Sequence, residues 1–183
     1  MSNITKTYKT PVQWSAIKLL ILDCDGVLTD GKIIYAGEDL ELKQFDAHDG
    51  LGFHIMKHTD MITAVITGRV SAVLARRCAD LKIDHLFQGV FNKLRKAEEL
   101  LRELRLEWKN CVYIGDDWND IPVMRKVALS CAPADAAEDI RRQADMVCSA
   151  SGGRGAVREV IDHILHKQGR YDQAVSAYLA EIS

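Results

Sequence analysis

Short, almost continuous apolar runs recur along the chain and are separated by segments with helical periodicity. Residues 17–22 are apolar at every position except Lys18. This pattern is typical of a strand that is buried on both faces of a parallel sheet. Similar runs predict further strands at residues 61–66, 111–114, 127–130 and 146–148.

The segments between these runs show the spacing of helices. In residues 93–106, the side chains of Leu94, Ala97, Leu101 and Leu104 fall on one stripe of a helix. Helices are also predicted at residues 70–80, 121–126, 136–144 and 157–166. Because strands alternate with helices, we expect a doubly wound α/β fold with a mostly parallel sheet, in a single domain over residues 1–183.

One segment interrupts this alternation shortly after the first strand. Residues 32–35 and 40–44 predict two short strands joined through residues 36–39, whose Ala-Gly-Glu-Asp sequence suits a turn. We therefore expect a β-hairpin flap over about residues 32–45. A separate cap domain is not expected, because this insertion is much shorter than a small domain. Residues 168–183 form a polar C-terminal tail with weak helical character.

Composition and charge restrict the classes of function. The chain has 183 residues, of which 48% are hydrophobic and 27% charged, the balance of a soluble globular protein. A formal net charge of −2 argues against extensive binding to nucleic acid. We expect a cytoplasmic protein, because no apolar run has the length of a membrane helix and the N-terminus lacks a signal-peptide pattern. Five scattered cysteines without a C-x-x-C pair predict buried thiols.

Two carboxylates directly follow the first predicted strand. Asp23 and Asp25 are two residues apart, so their side chains point the same way if the extended backbone continues. Gly26 then allows the chain to turn away from the sheet. Open α/β sheets bind ligands beyond the carboxyl ends of their strands, which makes this a candidate site. Taken alone, the same residues also fit an ordinary strand-end turn.

Three other segments place polar groups at comparable positions. Thr67 and Gly68 follow the strand at 61–66, and Lys93 begins the long amphipathic helix. Asp116 and further acidic residues follow the strand at 111–114. Carboxylates grouped this closely repel one another unless a cation offsets their charge, and oxygen ligands are typical of Mg²⁺. The segments together predict a Mg²⁺ site with a neighbouring anion-binding lysine.

In this order, the four segments resemble the motifs of the haloacid dehalogenase superfamily of phosphatases, which are DxD, a Ser or Thr, a Lys, and GDDxxD. Residues 25–31, 45–52, 115–124 and 152–159 resemble more closely still the subfamily of 3-deoxy-D-manno-octulosonate 8-phosphate (KDO 8-phosphate) phosphatases. The resemblance implies a Rossmann-like three-layer fold without a cap domain. It also implies Mg²⁺-dependent hydrolysis of a phosphate monoester in the biosynthesis of lipopolysaccharide precursors.

The resemblance assigns roles to the residues that match the motifs. Asp23 is the expected nucleophile, which forms an aspartyl-phosphate, and Asp25 the expected acid that protonates the leaving oxygen and then activates water. Thr67 and Lys93 are expected to bind the transferring phosphoryl group. The implied Mg²⁺ ligands are Asp23, the backbone carbonyl of Asp25, and Asp116. The residues expected to support this centre are Gly68, Asp117 and Asp120.

Substrate contacts are implied in the same way. Arg69 and Arg77 are expected to bind the carboxylate of the sugar acid, because a guanidinium group fits carboxylate geometry. His48 and His54 stand where the subfamily usually carries basic residues. The full expected substrate-binding set is Asp25, Asp46, Ala47, His48, Asp49, Gly50, His54, Arg69, Arg77 and Lys93.

The resemblance further implies a homotetramer whose active sites lie at subunit interfaces, with the hairpin lining the interface and residues 168–183 acting as a mobile gate. Two alternatives stay open at the level of the sequence. The substrate could be another sugar-acid phosphate, such as a nonulosonate 9-phosphate. The chain could also be a non-catalytic oligomeric binding module, although that would not require the complete set of motif residues.

The remaining histidines and tryptophans could in principle bind ligands, but we interpret them as structural residues. The histidine pairs at 54/58 and 163/166 lack the glutamate and the third ligand of a zinc protease motif, so we interpret them as surface or packing residues. The tryptophans at positions 14, 108 and 118 are interpreted as packing residues as well.

Overall fold

The computed structural model describes residues 11–36 and 41–183, and its centre is a parallel sheet of six strands. These strands are β1 (Leu19–Leu22), β4 (Ile62–Ile66), β5 (His85–Phe87), β6 (Cys111–Ile114), β7 (Leu129–Ala132) and β8 (Met146–Val147). Their order across the sheet is β5-β4-β1-β6-β7-β8, and each neighbouring pair is parallel. The order is that of a doubly wound sheet, which confirms the predicted α/β class.

Helices cover both faces of this sheet. They are α1 (Ala47–Met56), α2 (Ala72–Leu81), α3 (Lys93–Leu104), α4 (Ile121–Met124), α5 (Glu138–Gln143), α6 (Ala156–Lys167) and α7 (Tyr171–Glu181). Buried side chains of α1, α2, α6 and α7 form the core on one face. Those of α3, α4 and α5 form the core on the other face. The fold therefore has the three layers that the resemblance implied.

The central strand β1 shows why its sequence is apolar throughout. Leu20 and Leu22 belong to the core beneath α1, α2 and α6, whereas Leu19 and Ile21 belong to the core beneath α3, α4 and α5. All four side chains are fully buried. Because successive side chains of a strand point to opposite faces, a central strand covered on both sides needs apolar residues at every position.

Some elements differ from the sequence prediction for identifiable reasons. The edge strand β5 was not predicted, because it has only three residues and all of them are half-buried. Strand β7 overlaps the predicted segment 127–130 but begins and ends two residues later. Helix α1 has a weak apolar pattern because two of its buried positions are Gly50 and Gly52. A side chain at either glycine would press against the neighbouring Arg77 or Arg158, so these positions allow close packing of α1.

The predicted hairpin is present, and its strands are short. Strand β2 (Ile34–Tyr35) pairs antiparallel with β3 (Glu41–Leu42) in a separate two-stranded sheet. Residues 37–40, which include most of the predicted turn, lie outside the described part of the chain. Ile33, Ile34, Tyr35 and Leu42 are all exposed, and Tyr35 is 70% accessible. The hairpin thus presents apolar side chains on the surface of a single chain.

The C-terminal segment is a packed helix, whereas the sequence predicted only weak helical character for it. Ala174 of α7 is buried, and Tyr171 and Tyr178 pack against the core. At the start of α7, Arg170 forms an ion pair with Asp60, two residues before β4 begins. Helix α7 therefore begins at the amino end of the parallel strands, whereas the predicted active-site residues follow their carboxyl ends.

Two further predictions concern residues spread over the whole chain. All five cysteines are free and buried, as predicted from their spacing. None of the helices in the described ranges combines the length and the hydropathy that a membrane span requires.

Candidate active site

The carboxyl ends of β1, β4 and β6 open into a cleft of about 540 Å³. Strand β1 pairs with both β4 and β6, so the loops that follow these three strands are neighbours in space. The residues lining the cleft are Asp23, Asp25, Gly31, Thr67, Gly68, Arg69, Asp116, Asp117, Trp118 and Asn119. The structure thus brings together three of the four polar segments, and Lys93 reaches the same place from α3.

A tight turn after β1 places the first two carboxylates. The backbone carbonyl of Cys24 accepts hydrogen bonds from the amides of Val27, Leu28 and Thr29. Gly26 has a φ of +86°, which is costly for any residue with a side chain. A Cβ atom at Gly26 would also overlap the carboxylate of Asp116. Glycine is therefore required here both by the turn and by the closeness of an acidic residue from another strand.

Asp23 is buried at the floor of the cleft. One carboxylate oxygen accepts a hydrogen bond from the backbone amide of Cys24 at 2.7 Å, and the other lies 2.6 Å from Nζ of Lys93. Burial raises the pKa of Asp23 to about 6, even though the charge of Lys93 acts to lower it. The carboxylate is therefore ionised at neutral pH, and its orientation is held by these two contacts.

Lys93 is a fully buried cation at the first residue of α3. Its Nζ atom lies 2.6 Å from Asp23 and 2.7 Å from Asp120. Burial acts to lower the pKa of Lys93, but Asp120 and Asp23 outweigh it, so the pKa lies above its usual value. A lysine opposes the positive end of the helix dipole, and here two carboxylates compensate for that cost. Asn92 caps the helix by accepting a bond from the amide of Arg95.

Asp120 is fully buried and organises the groups around it. One oxygen accepts bonds from Lys93 Nζ at 2.7 Å and from the hydroxyl of Tyr113 at 2.6 Å. The other accepts from the backbone amides of Asp116 at 2.9 Å and Asp117 at 3.3 Å. Asp120 therefore fixes both the lysine and the loop after β6, and its expected supporting role in catalysis stays a prediction.

The acidic residues at the base of the cleft fit a divalent cation. Oxygen atoms of Asp23, Asp116 and Asp120 lie within 4.8 Å of one another. Burial, reinforced by repulsion from Asp120 and Asp23, raises the pKa of Asp116 to about 8. A bound cation would remove this repulsion, and an all-oxygen donor set is the kind that Mg²⁺ prefers. Because Asp120 already accepts four hydrogen bonds, Asp23 and Asp116 are the better side-chain ligands.

Asp25 lines the cleft and is held by cations from two other segments. Its carboxylate forms an ion pair with Lys43, whose side chain is only 2% exposed. The Nε atom of Arg69 lies 3.6 Å from the second carboxylate oxygen of Asp25. Arg69 also donates a hydrogen bond to Glu41 at 3.0 Å. Asp25 and Arg69 were predicted from the sequence, whereas Lys43 and Glu41, which belong to the hairpin, were not.

Thr67 is buried at the end of β4, and its backbone is fixed on both sides. Its amide donates to the carbonyl of Phe87 at 3.0 Å, and its own carbonyl accepts from Val90 at 3.0 Å. Gly68 follows at the edge of the cleft and faces Val90 at a distance that leaves room for a side chain. Thr67 lines the same cleft as Asp23, and its expected binding of the phosphoryl group stays a prediction.

Several expected substrate-binding residues lie outside the cleft of this chain. They belong to α1 or its start. Asp46 caps α1 by accepting a bond from the amide of His48 at 2.6 Å, and Ala47 and His48 are exposed. Asp49 differs from expectation, because it is buried and accepts bonds from the amides of Arg158 and Gly155. Its carboxylate joins α1 to the start of α6.

Arg77 and His54 do not line the cleft that holds Asp23 and Asp25. Arg77 donates a hydrogen bond to the carbonyl of Asp46 at 3.0 Å and stacks over the ring of Phe45. A Cβ atom at Gly50 would come within 2.6 Å of its guanidinium group. His54 lines a small pocket with residues of α7, away from the cleft. Within one chain, therefore, only Arg69 of the two expected arginines lines the cleft.

Two aromatic residues belong to the site: Trp118 lines the cleft, and Tyr113 donates a hydrogen bond to Asp120. Trp118 is 61% exposed and lines the cleft, so its interpretation as a packing residue was wrong. Tyr113 lies in the fully buried strand β6 and was not identified from the sequence. A signal for it existed, because a tyrosine hydroxyl in a strand covered on both faces needs a buried hydrogen-bond partner.

Comparison with known proteins agrees with this geometry. The sequence profile of haloacid dehalogenase-like hydrolases matches residues 79–161. The chain is 48% identical over 158 residues to the 3-deoxy-D-manno-octulosonate 8-phosphate phosphatase KdsC of Escherichia coli K12. That alignment covers 86% of this chain and 84% of the relative.

Solved structures with the same fold include two similar phosphatases. The 3-deoxy-D-manno-octulosonate 8-phosphate phosphatase of Yersinia pestis is 43% identical, with a TM-score of 0.85 over 87% of this chain and 86% of that one. The corresponding enzyme of Moraxella catarrhalis is 39% identical, with a TM-score of 0.86 over 90% of this chain and 95% of that one. The latter was solved in complex with a magnesium ion, a phosphate ion and a KDO molecule.

Proposed function

Because the chain belongs to the haloacid dehalogenase-like hydrolases, in the family of the KDO 8-phosphate phosphatases, we propose that it hydrolyses KDO 8-phosphate to KDO and inorganic phosphate. The observation that carries this proposal is the buried contact of 2.6 Å between Lys93 and Asp23, beside Asp116 and at the base of an open cleft. A phosphate-sized anion at this place meets a carboxylate that can attack it and a lysine that can neutralise it.

In the proposed first step, Asp23 attacks the phosphorus atom. The oxygen–phosphorus bond to Asp23 forms while the bond from phosphorus to the sugar oxygen breaks, which leaves an aspartyl-phosphate. Asp25 gives its proton to the leaving sugar oxygen. In the second step, Asp25 takes a proton from water, and the resulting attack on phosphorus releases phosphate and restores Asp23.

Lys93 and Thr67 stabilise the phosphoryl group during both steps. The transition state spreads negative charge over the equatorial oxygens of the phosphoryl group. Lys93 is fixed beforehand by Asp120, so its ammonium group does not have to reorganise during the reaction. The buried Thr67 at the end of β4 supplies a hydroxyl at the same edge of the sheet.

Magnesium is the cofactor of this family, and Asp23, Asp116 and the backbone carbonyl of Asp25 would hold it here. When bound, Mg²⁺ supplies positive charge that offsets the repulsion between the phosphate and the attacking carboxylate. The raised pKa of Asp116, about 8, marks the place where this positive charge is needed. Asp117 and Asp120 act from outside this ligand set, Asp120 through its bonds to the amides of Asp116 and Asp117.

Recognition of the sugar acid involves Arg69 in the same chain. Its guanidinium group lines the cleft beside Asp25 and is held by Glu41. Arg77 and the segment from Asp46 to Gly50 lie outside this cleft, so we assign them to substrate only where a second chain completes the site.

We propose a homotetramer in the cytoplasm, acting in lipopolysaccharide precursor synthesis, in which hairpins meet at the subunit interfaces. Support comes from the hairpin itself, whose Ile33, Ile34, Tyr35 and Leu42 side chains are exposed in one chain. A two-stranded hairpin is marginally stable alone and gains stability by packing against further strands.

An assay of phosphate release tests the proposed function. Purified protein should hydrolyse KDO 8-phosphate in the presence of Mg²⁺, and EDTA should abolish the activity. A panel with a nonulosonate 9-phosphate and simple sugar phosphates then ranks the substrates by kcat/KM. Preference for the nonulosonate would reassign the substrate, and absence of activity on every phosphate would contradict the enzymatic function.

A further inference from the structure

We propose that Lys43 of the hairpin is a positioning residue, which holds the carboxyl group of Asp25 in the orientation that proton transfer to the leaving oxygen requires. This inference rests on the proposed phosphatase function and adds a residue that the motifs do not contain. It assigns the hairpin a part in catalysis as well as in assembly.

The hairpin directs alternate side chains toward and away from the cleft. Glu41 and Lys43 are two residues apart, so in an extended segment their side chains point to the same side. Their side chains are 18% and 2% exposed, whereas the intervening Leu42 is 47% exposed. Lys43 therefore extends into a buried environment from a hairpin whose apolar side chains are exposed.

The contact made by Lys43 selects one oxygen of Asp25. Its ammonium group is paired with Oδ1 of Asp25. Oδ2 lies 3.6 Å from Nε of Arg69, which is beyond hydrogen-bond distance. With Oδ1 engaged, Oδ2 is the oxygen left for exchange of a proton with the leaving group and with water.

Glu41 completes the arrangement and links it to the cleft. Its carboxylate lies 3.7 Å from Lys43 Nζ and accepts a hydrogen bond from Arg69 Nη2 at 3.0 Å. Two hairpin residues of opposite charge thus contact the cleft residues: Lys43 pairs with Asp25, and Glu41 pairs with Arg69. Neither Lys43 nor Glu41 lines the cleft itself, so both residues act through Asp25 and Arg69, which do line it.

The chemical consequence concerns the first step. As the bond between phosphorus and the sugar oxygen breaks, the proton of Asp25 passes to that oxygen and Asp25 becomes a carboxylate. Lys43 holds the carboxyl plane before this transfer and faces the negative charge that appears afterwards. Misplacement of a catalytic group by about 1 Å can cost on the order of 100-fold in rate, so loss of Lys43 should slow this step.

The effect of substituting Lys43 can be tested by comparing two substrates whose leaving groups differ in their need for a proton. A sugar alkoxide needs a proton to leave, whereas p-nitrophenolate is stable enough to leave without one. Lys43→Met should lower kcat/KM for KDO 8-phosphate by about 10- to 100-fold and for p-nitrophenyl phosphate by less than about 3-fold. Because kcat/KM reports steps up to the first irreversible one, it isolates transfer to Asp23 from the later hydrolysis. Lys43→Arg, which keeps the charge, should recover most of the loss.

Lys32→Met on the other arm of the hairpin is the matched control, because Lys32 is exposed and, among the ion pairs of the described residues, pairs only with Asp30, outside the cleft. It should leave kcat/KM for both substrates unchanged.

An equal loss of kcat/KM on both substrates with Lys43→Met would overturn the positioning role. If Lys43→Met shows no cooperative thermal transition and therefore does not fold, the same two substrates are compared with Lys43→Gln instead. Wild-type protein inactive on KDO 8-phosphate but active on p-nitrophenyl phosphate would instead contradict the proposed substrate, and another alkyl phosphate would then serve for the test.

Discussion

The hydroxyl of Tyr113 donates a hydrogen bond to Asp120 at 2.6 Å, in a place where both residues are fully inaccessible to solvent. The same oxygen of Asp120 accepts a bond from Lys93, which in turn contacts Asp23. Tyr113, in the middle of the core, is therefore connected to Asp23 through three successive contacts, by way of Asp120 and Lys93. Burial and the nearby carboxylates raise the pKa of Tyr113 well above its usual value, so the hydroxyl keeps its proton and acts as a donor.

Removal of this hydroxyl should destabilise the protein. Tyr113→Phe leaves a charged acceptor with one partner fewer, which costs about 2 kcal/mol in free energy of unfolding. Urea denaturation measures the change. The control is Tyr178→Phe on α7, whose ring lies at the edge of the core and which should change stability by less than about 0.5 kcal/mol. Equal effects of the two substitutions would show that the bond to Asp120 contributes nothing specific.

Replacement of the proposed nucleophile should abolish turnover and preserve the fold. Asp23→Asn removes the attacking oxygen and a ligand of the metal together, and we expect a loss of about 1,000-fold or more in kcat. Circular dichroism should be unchanged. Asp30→Asn, which alters a carboxylate in the same loop but outside the cleft, should retain activity. Appreciable turnover by Asp23→Asn, with wild-type contamination excluded, would contradict the covalent mechanism.

Stability without metal should fall as the pH rises from about 5 to 8. The pKa values of Asp23 and Asp116 are raised to about 6 and about 8 by burial, so over this range the folded state binds more protons than the unfolded state. Stability then decreases with increasing pH. Mg²⁺ requires the ionised carboxylates and should stabilise the protein more at pH 8 than at pH 5.

Thermal denaturation at both pH values, in EDTA and in Mg²⁺, measures these effects. Asp116→Asn is the matched variant, because it removes one of the two titrating groups. It should reduce the dependence of stability on pH and weaken the stabilisation by Mg²⁺. An unchanged pH dependence in this variant would mean that Asp116 does not titrate in this range.

Arg69 should discriminate between substrates with and without a carboxylate. Arg69→Ala is expected to lower kcat/KM for KDO 8-phosphate by about 10- to 100-fold, the value of a charged hydrogen bond. Its effect on a sugar phosphate that lacks a carboxylate should be much smaller. Arg76→Ala, at an exposed position of α2, serves as the control. Equal losses on both substrates would mean that Arg69 binds the phosphate group or orients Asp25 and does not recognise the carboxylate.

The exposed apolar side chains of the hairpin should control assembly. Replacing Ile34 and Tyr35 together by Ser removes apolar surface that a neighbouring subunit would cover, so smaller species should appear in analytical ultracentrifugation. Leu179→Ser removes a comparably exposed side chain from α7 and should leave assembly unchanged. A wild-type protein that is monomeric and fully active would refute the shared interface.

The sequence by itself determined the α/β class, the central strands and most residues of the cleft. This was possible because a strand covered on both faces needs apolar residues at every position, as in Leu19–Leu22, and such runs are visible locally. Asp23 and Thr67 follow these runs directly, and Asp116 follows its run after a single glycine. Once the strands are parallel neighbours, their carboxyl ends meet at one edge of the sheet, and the motif residues meet with them.

Only the tertiary structure decided which side chains touch. Lys43 reaches Asp25 across 18 positions of sequence, and Asp49 reaches the amide of Arg158 across 109. No local pattern encodes such contacts, because they depend on how the hairpin and α6 pack against the loop after β1 and against α1. The same holds for α7, whose polar sequence predicts a weakly helical tail. Its helix is stabilised by a few core contacts, such as that of Ala174, that only the packed chain provides.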